Sequence, residues 1–230
     1  MPDDYDVVRE TEFNRENLQT AIPNRLKELG DIVWSRRTTG DNWFEDLIVK
    51  IVQSVDRTCR DLLETMPQDA LPAAAWNARN LLELSIWIKY CAVSRANARC
   101  FHEGALRDMQ GLTDAVSKLH ALRQLPNEFE KAAREKIAEI AREKLGLNSL
   151  DGSYARVADA AKSVCQLDWF LATNSFLSKF AHPTAGLVIG FMHQTEIIRK
   201  NMQAIAPSNG VYSAGQCVIG LVEIVAPPAI

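Results

Sequence analysis

Leu81-Leu82-Glu83-Leu84-Ser85-Ile86-Trp87-Ile88-Lys89-Tyr90-Cys91-Ala92-Val93 decides the fold. Only Glu83, Ser85 and Lys89 interrupt its apolar character. A helix that is apolar nearly all round must be covered on all sides, so this run reads as the central member of a helical bundle. The flanking sequence predicts that the helix runs from about Ala73 to beyond Arg99. Gly104 and Gly111 weaken its continuation toward Leu125 and predict a bend or break, and Pro126 ends it.

Other stretches carry the same period. Asp41 can cap a helix over 41–66, in which Phe44, Leu47, Ile48, Ile51, Val55, Cys59 and Leu62 recur at helical spacing. Residues 12–29 form a weaker helical segment, interrupted by Pro23. Residues 127–145 are amphipathic, with Phe129, Ala133, Ile137, Ile140, Ala141 and Leu145 on one stripe, and Gly146 and Asn148 terminate them. Asp151-Gly152-Ser153 opens a helix reaching Ala181, and another follows Pro183 to about Ile205. Pro207-Ser208-Asn209-Gly210 reads as the clearest turn in the chain, ahead of a last apolar helix over about 212–225. No segment alternates as a strand. The expected fold is all-α, a single up-and-down bundle of about six or seven helices. Residues 1–40 supply an acidic N-terminal segment and a short helix, and residues 41–230 the bundle domain.

Composition narrows the function classes. The chain has 230 residues, with 26 basic against 29 acidic and a formal net charge of −3, which gives no global attraction to nucleic acid or membrane. Lys and Arg are densest at 123–144, where glutamates interleave them, as on a solvated face. The odd set Cys59, Cys91, Cys100, Cys165 and Cys217 lacks any Cys-x-x-Cys clip, so reduced thiols are expected. Together with the lack of a signal-peptide pattern, this predicts a cytoplasmic protein. Apolar runs near the C-terminus fall short of the roughly 20 residues a membrane span needs, so no membrane partner is expected.

Chemistry concentrates in two places. In Asn174-Ser175-Phe176-Leu177-Ser178-Lys179-Phe180-Ala181-His182-Pro183-Thr184, a helical period aligns Asn174, Ser178 and His182, with Lys179 beside them. Pro183 disfavours helical dihedrals at His182 and so puts the histidine at the helix exit, where the last carbonyls favour an imidazolium. An imidazole beside hydroxyl, amide and ammonium groups can perform acid–base chemistry near neutral pH, and it can equally be a simple helix cap. On the central helix, Arg79 and Glu83 are one turn apart and share a face with Ile86 and Tyr90, with Asn97 further along. That pattern predicts a carboxylate in an apolar surround, either a functional pair or an ion pair that fixes helix register.

The remaining candidates read as structural. His102 and His120 are expected at the surface, and His193 in the core. No histidine or cysteine spacing matches a metal site, and no glycine-rich phosphate loop follows a strand, so neither metal nor cofactor is expected. The tryptophans are scattered, and Trp43, Trp87 and Trp169 sit in apolar context that suits the core.

Arg79-Asn80-Leu81-Leu82-Glu83, followed by Ser178-Lys179-Phe180-Ala181-His182-Pro183, resembles a group of bacterial helical proteins with an Arg-x-x-x-Glu and Ser-x-x-x-His-Pro pattern. That group is similar to the HEPN superfamily of nucleotide-binding helical proteins. The resemblance covers roughly residues 40–205. It implies a helical bundle, often a homodimer, and in many members a metal-independent ribonuclease of a defence or toxin-type system. His182 matches the superfamily histidine. The superfamily arginine would fall on Leu177, Phe176 or Ser175, and none of these is arginine, so Arg79 or Lys179 would have to supply the cation. On that reading His182, Arg79, Glu83, Ser178, Lys179 and Asn174 form the site, and RNA is the partner. Two other readings stand beside it. One is a non-catalytic helical module that binds a protein partner, with apolar surface at 184–192 and 212–225. The other is a small-ligand binder with a pocket near Glu83 and Tyr90.

Overall fold

Leu71–Val93, hereafter α3, is the helix around which the others assemble. Leu81, Leu82, Ile86 and Ile88 on it are wholly buried, facing different neighbours. The computed structural model describes residues 12–66, 70–124, 128–150, 155–182 and 196–226. Among these there are eight α-helices and no strand. A π-helical turn, Asn17–Ala21, leads into α1 (Ile22–Ser35). Then come α2 (Trp43–Thr65), α3, α4 (Arg95–Leu122), α5 (Glu128–Leu145), α6 (Val157–Ser163), α7 (Leu167–Ala181) and α8 (Glu196–Val225). None of the described helices is long and apolar enough to cross a membrane.

The main core joins α1, α2, α3 and α8 through residues such as Leu26, Ile48, Val55, Leu62, Leu81, Ile88, Cys217 and Leu221. A second apolar cluster joins the other side of α3 to α6 and α7 through Ala78, Leu82, Ile86, Ala161, Phe170 and Leu177. This second seam fixes α7 against α3 and so determines which polar side chains of the two helices meet. A small third cluster, Leu106, Ile137, Ala141 and Leu145, holds α5 on α4, as the amphipathic stripe predicts.

The all-helical class is as expected, but eight helices replace the six or seven counted from the sequence. Two splits, at Ser94 and at Val164–Gln166, and one fusion, across Pro207–Gly210, account for the difference. The central helix stops at Val93, because Ser94 turns extended (φ −164°, ψ 156°) and its hydroxyl accepts from the Asn97 amide at 3.1 Å, capping α4. The next helix, α4, is unbroken through Gly104 and Gly111, where a bend or break was expected. The segment ending at Ala181 is likewise two helices, α6 and α7, divided at Val164–Gln166, where Cys165 adopts φ +56°.

Pro207-Ser208-Asn209-Gly210, expected as a turn, lies inside α8. Pro207 and Gly210 are buried, and a Cβ on Gly210 would collide with Leu62 and Ala78, so glycine serves here for close approach to α2 and α3. Gly220 repeats the device, since its Cβ would lie 2.7 Å from Ile88 Cγ2. Pro23 follows the π-helical turn Asn17–Ala21 directly, inside a helical run that covers 12–35, so the expected interruption takes the form of a change in helical pitch and not a break. Gly146 (φ +61°) ends α5 as expected. The expected helix starts at Asp151-Gly152-Ser153 and at Pro183, and His193, lie outside the described residues.

Candidate functional site

The α3–α7 seam brings one turn of the central helix against the polar stripe that ends at His182. Trp76, Arg79 and Glu83 are spaced three and four apart and so share one face of α3. Asn174 and Ser178 share a face of α7, and His182 follows at its C-cap with extended dihedrals (φ −118°, ψ 149°). The apolar undersides of both helices supply the seam. Leu82 and Leu177 are fully buried in it, and Phe176 and Phe180 pack edge to face at 5.2 Å between centroids.

Arg79 is the hub. Its Nε donates to Asn174 Oδ1 at 2.9 Å, its NH1 contacts His182 Nε2 at 3.0 Å, and its NH2 pairs with Glu83 Oε1 at 3.2 Å. A guanidinium has donors only, so His182 Nε2 must accept. The imidazole in this arrangement is therefore neutral, with its proton on Nδ1. Two of the five guanidinium N–H groups are hydrogen-bonded and NH2 is ion-paired with Glu83, so at least one N–H on each terminal nitrogen remains for another acceptor.

The site is open to solvent. His182 is exposed, and the Arg79 and Glu83 side chains keep 25% and 32% of their surface. Glu83 thus stands at a half-exposed rim, not in the apolar surround expected for it. Trp76, 46% exposed, meets His182 edge to face, with centroids 5.8 Å apart and planes at 81°. Of the six residues singled out in the sequence, Arg79, Glu83, Asn174 and His182 converge. Half-buried Ser178 and exposed Lys179 lie on the same end of α7 but are not partners of Arg79. Sequence reasoning misses Trp76, although its signal is present, since it precedes Arg79 by three residues on the face that Arg79 and Glu83 define.

The other candidates separate from this cluster. Asn97 is on α4, and its amide donates to the Tyr90 carbonyl at 3.0 Å, so it closes the end of α3. Burial foremost, with the neighbouring Cys100 thiol, pushes the Tyr90 hydroxyl up to about 12. Of the larger cavities, one of about 590 Å³ is bounded by Arg36, Phe44, Arg95 and Glu223, and one of about 480 Å³ by Lys27, Trp34, Val49 and Asp56. Neither touches Glu83 or Tyr90. His102, expected at the surface, is stacked on Trp43 at 6.1 Å with its Nδ1 buried and without a hydrogen-bond partner. Burial, reinforced by Lys50 and opposed by Glu103, lowers its pKa. Trp43, Trp87 and Trp169 are half-buried against the apolar clusters. Among the described residues, no group of three or more His, Cys, Asp and Glu is arranged to hold a metal ion.

Comparison of the chain with protein-family models, with curated proteins and with solved structures gives no match.

Proposed function

We propose that the Arg79–His182 cluster is the active site of a metal-independent ribonuclease in a HEPN-like helical protein. The observation that supports this reading most is the 3.0 Å contact between Arg79 and His182. The chain has no arginine at the superfamily's position ahead of the histidine, and a cation from α3 reaches the same imidazole.

The chemistry follows from what each group can do. A phosphodiester approaching the cluster takes the open N–H groups of Arg79, and the guanidinium turns toward the phosphate. That movement withdraws its N–H from His182 Nε2 and exposes the lone pair. Nε2 then removes the proton from a ribose 2′-hydroxyl. The 2′-oxygen forms its bond to phosphorus, the P–O5′ bond breaks, and the leaving oxygen takes a proton delivered by the imidazolium through water. The charge that gathers on the phosphoryl oxygens is met by Arg79, with Lys179 on the adjoining turn. Glu83 and Asn174 position the guanidinium. The products are a 2′,3′-cyclic phosphate and a 5′-hydroxyl end.

Cleavage of a mixed single-stranded RNA pool in EDTA tests this reading. Wild type is expected to cut RNA, leave cyclic phosphate ends and spare DNA, which lacks the 2′-hydroxyl, and His182→Ala to abolish the cut. RNA left intact by wild type, or cut equally well by the variant, overturns it.

A second reading, a helical module that associates through its own surface, is favoured by α8. Ile205, Tyr212 and Ile219 recur every seven residues, and each is exposed, as is Leu171 on α7. Sedimentation of the whole protein tests it. A concentration-dependent dimer that Tyr212→Glu and Ile219→Glu dissociate supports this reading.

A further inference from the structure

We propose that Trp76 is a base-stacking residue and that the site takes single-stranded RNA one unpaired nucleotide at a time. The inference rests on the ribonuclease reading of the same cluster and names its substrate class. Among the described residues two tryptophans are strongly exposed, Trp34 at 59% and Trp76 at 46%. Trp34 already carries the Arg37 guanidinium over its ring, 4.2 Å from the centroid. Trp76 instead meets a histidine edge to face, a contact that leaves indole surface open to solvent beside the reactive group.

The two groups placed beside Trp76, His182 by contact and Arg79 by its position one turn along α3, are suited to a nucleotide. Trp76 and Arg79 are neighbours on one face of α3, so their side chains are separated by about one helical turn, roughly 5–6 Å between Cβ atoms. That is comparable to the span from a nucleobase to its own phosphate. A base laid on Trp76 therefore directs its phosphate to the two open N–H groups of Arg79 and its ribose to His182. Indole accepts any base, because every base has a π-face, so little sequence preference is expected. Bases inside a duplex are covered on both faces by their neighbours, and double-stranded RNA is excluded for that reason.

The test uses binding as well as cleavage, so that failure of catalysis and failure of stacking are told apart. Labelled RNA is titrated in EDTA into His182→Ala protein, which preserves the substrate, and into the same protein carrying Trp76→Ala or Trp76→Phe. Loss of stacking on one base is worth roughly tenfold to a hundredfold in affinity. Trp76→Ala is expected to weaken single-stranded RNA by that factor, Trp76→Phe to retain most of the binding, and duplex RNA to bind poorly throughout. RNA carrying an abasic nucleotide at the bound position is expected to be insensitive to Trp76→Ala. In cleaving protein, Trp76→Ala is expected to raise KM by a larger factor than it lowers kcat. Equal affinity for single-stranded RNA with and without the Trp76→Ala substitution overturns the stacking proposal while leaving the ribonuclease reading intact. Tight, Trp76-dependent binding with no cleavage by wild type upholds stacking and removes the nuclease reading.

Discussion

Arg79 and His182 lie 103 residues apart in sequence, and the guanidinium donates to the imidazole Nε2 across 3.0 Å. The direction of that bond fixes the state of the histidine. Nε2 has no proton, Nδ1 carries it, and the ring is neutral. Nitrogen-15 correlation spectra of the imidazole are expected to show the Nδ1–H tautomer dominant at pH 7.5. In Arg79→Ala the preference is expected to shift toward the commoner Nε2–H form. An unchanged spectrum in the variant rules out the contact in solution.

Arg79 also separates charge from geometry. Arg79→Ala removes the cation and leaves Asn174, Glu83 and His182 without their shared partner. Removal of one such donor from a preorganised site costs about a hundredfold or more in rate. Arg79→Lys keeps the charge but presents it as a compact ammonium that cannot serve three partners in the fork geometry of a guanidinium. On the proposed ribonuclease function, RNA cleavage in EDTA is expected to fall about a hundredfold in the alanine variant and to recover only partly in the lysine variant. Full recovery with lysine reduces Arg79 to a point charge.

Much of the fold is legible in the sequence, because helical period and burial follow the same apolar stripes. The run from Leu81 to Val93 reads as central, and it is. The misreadings share a physical cause. Local propensity alone misjudges Ser94, Pro207 and Gly210, because what they do depends on geometry and neighbours that propensity does not contain. Ser94 gains a cap from its own hydroxyl and splits what reads as one helix. Gly210 looks like part of a turn and is instead the point where α8 presses on Leu62 and Ala78. For the site, spacing identifies each half-cluster, Arg79 with Glu83 and Asn174 with His182. Only the packing of Leu82 against the α7 seam joins them, and no local pattern encodes that distance. Trp76 escapes notice because a tryptophan in a helix is usually core.

His102 gives the protein a pH-dependent term. Burial lowers its pKa below the ordinary value, so the folded state binds fewer protons than the unfolded chain in the interval between the two. Stability then rises with pH across that interval. The contribution is fully present above the ordinary histidine value of about 6.5 and is lost as the pH falls below it. Urea unfolding at pH 7.5 and 5.5 is expected to show wild type losing stability on acidification. His102→Gln, which does not ionise, is expected to lose less. Equal losses remove His102 from the account.

Thiol reactivity reports the burial of the cores directly. Cys59 and Cys91 are buried, and burial foremost pushes both up to about 12, while Cys217 is raised well above the ordinary thiol range for the same first reason. At pH 7.5 these three carry almost no thiolate, the nucleophilic form. Cys165 is exposed at the α6–α7 junction. Mass spectrometry after brief maleimide treatment is expected to find Cys165 modified, and Cys59, Cys91 and Cys217 modified only in denaturant. Rapid labelling of Cys217 in native protein contradicts the packing of α8 on α3.

Two glycines give opposite answers to the same substitution. Gly210→Ala drives a methyl group into the Leu62 side chain, which is wholly buried in the main core, and to 3.3 Å from Ala78 Cα. Overpacking of this kind costs about 1–3 kcal/mol. Gly111 lies in the middle of α4, and a Cβ there meets nothing within 4 Å. Alanine at that position relieves the helix of glycine's backbone entropy and stabilises it by roughly 0.5–1 kcal/mol. Thermal unfolding is expected to show Tm lower in Gly210→Ala and higher in Gly111→Ala. If Gly210→Ala raises Tm, the segment 207–210 is not held in a closely packed helix, and the turn that Pro207 and Gly210 suggest in isolation is the better description of it.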